Sequence, residues 1–69
     1  MLMLLKLDLI LFIEEEPILQ QCLIPSERIF ILVAEDDGET TRVYLSSRDD
    51  DEGFLVSHTL SFIHAMMER

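Results

Sequence analysis

Two apolar runs separated by an acidic, glycine-containing tetrapeptide constrain this chain most. Arg28 to Glu35 reads Arg-Ile-Phe-Ile-Leu-Val-Ala-Glu, and Thr40 to Ser46 reads Thr-Thr-Arg-Val-Tyr-Leu-Ser. Between them stands Asp36-Asp37-Gly38-Glu39. β-Branched and aromatic side chains suit a pleated, half-buried surface. An Asp-Gly pair supplies the positive φ that a tight hairpin turn demands. A two-residue Asp37-Gly38 loop would set Ala34 opposite Thr41, Leu32 opposite Val43 and Phe30 opposite Leu45. One face of that hairpin is then almost wholly apolar. The other holds Ile29, Ile31, Val33 and Tyr44 with Glu35 and Arg42. A three-residue loop with Gly38 in a bulge would shift this pairing, so the register stays open at this point.

The segments on either side are read by period. From Leu2 to Ile13 the odd positions are all apolar, while the even positions carry Lys6 and Asp8 between Leu4 and Ile10. That is a strand with one buried and one mixed face. Ile18 to Ile24 lies between the breaks Glu14-Glu15-Glu16-Pro17 and Pro25-Ser26, and its brevity favours a strand over two helical turns. After Arg48 to Gly53 the period changes. Leu55, Thr59, Phe62 and Met66 form one stripe and Val56, Leu60, Ile63 and Met67 a second, predicting a helix over about 53–68 with a wide apolar arc. Ser57, Ser61, His64 and Glu68 run down its other side. Asp49 to Glu52 would suit the positive end of that helix.

Short connections make these elements one α+β domain over residues 1–69: a small antiparallel β meander of three to four strands with the C-terminal α-helix packed on one face. So short a chain buries only about 60% of its unfolded surface. Chains of this size usually recruit disulfides, a metal or a partner. Cys22 is the only cysteine, and one Cys with two His cannot close a four-ligand zinc site. A partner chain is the remaining option. The hydrophobic content of 49% agrees, because some of it must stay outside a monomer's core. The face bearing Ile29, Ile31 and Val33 has nothing in the chain to cover it. The expectation is a homodimer through those residues.

Charge narrows the partners. The net charge is −9, with only Lys6, Arg28, Arg42, Arg48 and Arg69 as cations. Phosphate contacts need Lys and Arg, so direct nucleic-acid binding is disfavoured, and so are anionic membranes. A basic protein surface is the natural complement. The N-terminal stretch lacks a basic leader and a cleavage site, and its unbroken apolar runs fall far short of the roughly 18 residues of a membrane span. It is read as part of the fold. The lone cysteine fits a reducing, cytoplasmic setting.

Most of the acids fall in three clusters: Glu14-Glu15-Glu16, then Glu35, Asp36, Asp37 and Glu39, then Asp49 to Glu52. An up-and-down meander would gather the first two at one end of the sheet, as a pole whose field steers a basic partner. Solvated turns that keep an apolar chain soluble explain the same residues. A calcium loop is not supported. Gly53 falls one position early after Asp49 and Asp51, and Thr40 stands where the loop after Glu35, Asp37 and Glu39 wants glycine. Ser61, His64 and Glu68 are the residue types of a hydrolytic triad, but an exposed helix stripe supplies no oxyanion hole. His58 and His64, six apart, fall on different helix sides and make no metal pair. Met66 and Met67 read as core, as does Cys22. Tyr44 and Arg42 are the types that anchor interfaces.

The chain is therefore expected to be non-catalytic and free of cofactors: a protein-binding inhibitor or adaptor. Glu14, Glu15, Glu16, Glu35, Asp36, Asp37, Glu39, Arg42 and Tyr44 would meet a partner with a basic surface. In its sharpest form the carboxylates imitate nucleic-acid phosphates and block a nucleic-acid-binding protein, as a phage or mobile-element accessory protein would. The alternative is a homodimerising structural subunit whose acids serve solubility alone.

Overall fold

The alternating apolar segment near the N-terminus forms a ten-residue strand, β1 (Leu4–Ile13), in the computed structural model, which describes residues 3–45 and 52–68. On its odd-numbered side Leu5 and Leu7 are essentially fully buried in the core, whereas Ile13 at the far end is 55% exposed. β1 turns tightly at Glu14-Glu15 into β2 (Glu16–Pro25), so the segment between the two prolines is a strand. A 3-10 turn (Ser26–Arg28) leads to β3 (Ile31–Ala34), which pairs with β4 (Thr41–Tyr44). β5 (Phe54–Val56) and the helix α1 (Leu60–Met67) follow.

The α+β class holds, but the sheet has five strands rather than three or four, and the order is β2-β1-β5-β4-β3. The difference lies in Phe54–Val56, which periodicity assigned to the start of the helix. Two features outweigh that periodicity. Gly53 has φ 70° and turns the chain into the slot between β1 and β4. Thr59 then accepts a hydrogen bond from the Phe62 amide at 3.1 Å, so its side chain caps a helix that begins at Leu60. Of the acids expected at that helix start, Asp49–Asp51 lie outside the described residues. Glu52 precedes β5, and the first turn of α1 carries no acid.

Inserting β5 beside β1 changes the topology from a simple meander. Every neighbouring pair is antiparallel, so β2 and β3 run in the same sense at opposite edges. Linking two strands of the same sense normally takes a dozen residues or more. Here residues 26–30 suffice, which requires the sheet to coil until its edges approach at this corner. Met3 and Ile29 accordingly pack against one core.

That core is small: Leu5, Leu7, Ile24, Val43, Val56 and Ile63. Ile63, Met66 and Met67 carry the helix onto it, as their reading as core residues anticipated for the two methionines. Among the described residues Thr41 is the buried polar one, and its hydroxyl donates to the His58 carbonyl at 2.8 Å. His58 itself ties β1 to the β5–α1 link, with Nε2 accepting from the Asp8 amide at 2.9 Å. Its ring stacks on Phe62, with centroids 4.9 Å apart.

Candidate protein-binding surface

Strand register decides which side chains look away from the core. Directly opposed residues share a face, so the pairs can be followed across the sheet. Leu19 opposes Ile10, Ile10 opposes Leu55, Leu55 opposes Arg42, and Arg42 opposes Val33. One row thus crosses all five strands on the face that α1 leaves bare. Beside it, Phe12 opposes Pro17 and Tyr44 opposes Ile31. Phe12 is 63% exposed and Leu19 59%, with Ile31 and Val33 also open. So many large apolar groups on one side exceed the scattered exposure of an ordinary surface.

A shallow, open groove of about 450 Å³ indents this face, lined in part by Ile10, Phe12, Arg42 and Leu55. Gly53 makes it possible. A Cβ there would stand 2.8 Å from the Val43 carbonyl oxygen and 3.1 Å from Tyr44 Cδ1. Arg42 forms the polar rim. Its guanidinium donates to the Glu52 carbonyl at 2.9 Å and meets Glu35 at 3.4 Å. With both partners about a third exposed, that ion pair contributes at most about 1 kcal/mol, and with the Glu52 bond it fixes where the guanidinium sits.

The expected sites fall into place unevenly. The 31–44 and 33–42 pairings put Ile31, Val33, Arg42 and Tyr44 on one free face, as the Asp37-Gly38 reading expected. Ile29 is not on that face: it precedes β3 and packs against the core, while Phe30 is 55% exposed. The two acidic turns do not share a pole. Because β5 intervenes, β4 runs in the same sense as β1, so Glu14–Glu16 and Glu35–Glu39 stand at opposite ends. Within the second turn, Asp37 Oδ1 accepts from the Glu39 and Thr40 amides at 2.9 Å each. Those bonds, with the Thr40 hydroxyl, hold its carboxyl below the usual range. Asp37 shapes the loop, Glu35 is taken by Arg42, and Asp36 and Glu39 remain outward.

Elsewhere, His64 and Glu68 meet at 3.0 Å on an exposed helix side, with Ser61 equally open. Among the described residues, no group of three or more His, Cys, Asp and Glu could hold a metal ion, and no helix is long and apolar enough to cross a membrane. Cys22 is half-buried against the core. Burial pushes its thiol up, the Asp8 charge adds to this, and a hydrogen bond donated by the Leu7 backbone amide opposes it. Such a thiol is a poor nucleophile. Sequence reasoning missed the roles of Ile10, Phe12, Leu19 and Leu55. The alternation in β1 marked Ile10 and Phe12 as a second face, but only the position of β5 joins them to Val33.

The architecture and this surface define a small coiled antiparallel sheet with one helix, open on its outer face. Comparison with family models, with curated proteins and with solved structures finds no match for the chain.

Proposed function

We propose that this chain is a non-catalytic protein-binding module that engages its partner through the outer sheet face. One observation carries the reading: the row Leu19, Ile10, Leu55, Arg42 and Val33 crosses the whole sheet, and among the described residues no element lies over it. Apolar groups bordered by an arginine and a tyrosine match the residue types enriched at interfaces. Phe12 and Tyr44 flank the groove as aromatic anchors. An inhibitor or adaptor role follows from binding without chemistry. The acidic turns at the two ends add long-range attraction for a basic partner rather than one concentrated phosphate-like patch. A cytoplasmic setting and a viral or mobile-element source remain part of this proposal.

A second reading, a self-associating structural subunit, is favoured by a different feature, the long edge strand β2, which is uncharged from Pro17 to Pro25. Capture from lysate separates the two. Phe12→Ser with Val33→Ser is expected to lose a partner that wild-type chain retains through a high-salt wash. A chain with Glu14, Glu15 and Glu16 changed to Gln should keep it. Loss of the partner in the glutamine variant, with release by salt, would return the binding site to the carboxylates. Recovery of only the chain itself would support the structural subunit.

A further inference from the structure

The outer edge of the sheet carries a pattern that the outer face does not explain. β2 is an edge strand, and between Pro17 and Pro25 it has no charged residue in a chain of net charge −9. The Ser26 amide donates to the Met3 carbonyl at 2.8 Å, which makes Met3 and Ser26 a hydrogen-bonded pair. Such pairs alternate along an antiparallel ladder. Even-numbered β2 residues therefore bond inward to β1, and odd-numbered ones present N–H and C=O to the outside. The outward positions are Pro17, Leu19, Gln21, Leu23 and Pro25. Both prolines thus sit where a free N–H would otherwise project, and they bound a window of open donors at Leu19, Gln21 and Leu23. Leu19 and Leu23 are 59% and 62% exposed. The usual protections of an edge, a lysine or an inward charge, are missing within that window.

The same segment is nearly palindromic. Pro17-Ile18-Leu19-Gln20-Gln21-Cys22-Leu23-Ile24-Pro25 reads alike from either end, except that Gln20 answers Cys22. A two-fold axis through Gln21 in an antiparallel pairing sets proline against proline, isoleucine against isoleucine and leucine against leucine. No donor is lost at the ends, because both terminal pairs lack an N–H. Each outward amide finds the outward carbonyl of its counterpart. We propose that β2 is the interface for a second copy of this chain, paired antiparallel about Gln21, so that two sheets join into one continuous sheet. Such an interface is isologous and closes at a dimer. It differs from a dimer through Ile31 and Val33, and it stands whether or not a partner docks on the outer face. Like charges at Glu16 and Glu27 flank the uncharged window, so added salt strengthens the pairing by screening them.

Cross-linking tests the register. In a Cys22→Ser background, Gln21→Cys puts two sulfurs across the axis, where hydrogen-bonded partners have Cα atoms about 5.5 Å apart, within disulfide range. Mild oxidation is expected to give a covalent dimer. Leu19→Cys alone should not cross-link, because Leu19 opposes Leu23 of the second copy, but a mixture with Leu23→Cys chains should. In light scattering the wild-type chain is expected at dimer mass. Gln21→Pro should return it to a monomer with unchanged circular dichroism, since the lost N–H points outward. Should Gln21→Pro not fold, Gln21→Lys serves, placing two ammonium groups face to face. A wild-type monomer, a dimer persisting in the folded Gln21 variant, or self-cross-linking of Leu19→Cys without that of Gln21→Cys would overturn the proposal. Loss of the captured partner in Phe12→Ser/Val33→Ser with an intact dimer would leave this pairing standing, so the two ideas fail separately.

Discussion

The two hairpins of this sheet are built on opposite plans. β3 and β4 are four residues each and join through a loop that the sequence furnishes well: Asp37 caps two amides, and Gly38 takes the positive φ of 71°. β1 and β2 are ten residues each and join through Glu14-Glu15, both held at positive φ, 52° and 70°. For residues with a Cβ that conformation costs roughly 1–2 kcal/mol apiece. The short hairpin relies on its turn. The long one tolerates a poor turn because its lower half is anchored in the core by Leu5, Leu7 and Ile24. β5 pairs only with Leu9 and Ile10, so the upper half of the long hairpin extends beyond it as an arm. Turn chemistry and core anchoring are thus alternative means of fixing a register.

The largest effect should come from removing that anchor. Leu7→Ala, at a fully buried position, is expected to destabilise the fold by about 2–5 kcal/mol. Leu19→Ala on the free part of the same hairpin should change monomer stability by no more than about 0.5 kcal/mol. Thermal denaturation of both variants checks the contrast, and equal losses would break it. Next come the glycines. Gly53→Ala combines a positive φ with a 2.8 Å approach to the Val43 carbonyl and should cost at least about 2 kcal/mol. Gly38→Ala, with open space around it, should cost only about 1 kcal/mol in urea titration. Giving the long hairpin the turn it lacks, through Glu14→Asn with Glu15→Gly, should raise stability by about 1 kcal/mol. No gain would mean that the arm is not held in its left-handed turn.

The smallest expected effect is a pH dependence confined to the short hairpin. The Asp37 carboxyl is depressed by the Glu39 and Thr40 amides and the Thr40 hydroxyl. Its contribution is fully present above the ordinary aspartate value of about 3.9 and is lost as pH falls through the lower folded value. Melting curves from neutral pH into that acidic range should therefore drop slightly more for wild type than for Asp37→Asn. Parallel curves would remove Asp37 as a determinant of the turn.

Local chemistry made the short hairpin legible. The Asp-Gly signal offered the 34–41 and 32–43 pairings as one of two registers, and the structure adopts them even though Asp37 and Gly38 sit in a four-residue loop, because Glu35 and Thr40 bond to each other at its base. Alternation revealed β1, and two prolines framed β2. β5 was not legible, since Phe54, Leu55 and Val56 fit a helical stripe as well as a strand. Only the vacancy between β1 and β4, created by distant residues, decides between them. That one misreading moved the acidic turns to a shared end and hid the row of apolar residues across the outer face. The free face of β3 was visible from its own pattern; its continuation onto β1 and β2 depended on topology.

The place of β5 also sets an order of events as the chain is made. Leu9 waits for Val56, so the closing contact of the sheet cannot form until nearly all the described chain has been synthesised. Until then the first hairpin is open along both of its sides, one awaiting β5 and the other bearing the β2 edge. Non-local pairings of this kind are slow to form and leave sticky intermediates exposed to aggregation meanwhile. A nascent chain of this design therefore has a period of vulnerability, and the glutamates at the tip of that hairpin supply a cluster of like charge that helps keep neighbouring nascent chains apart.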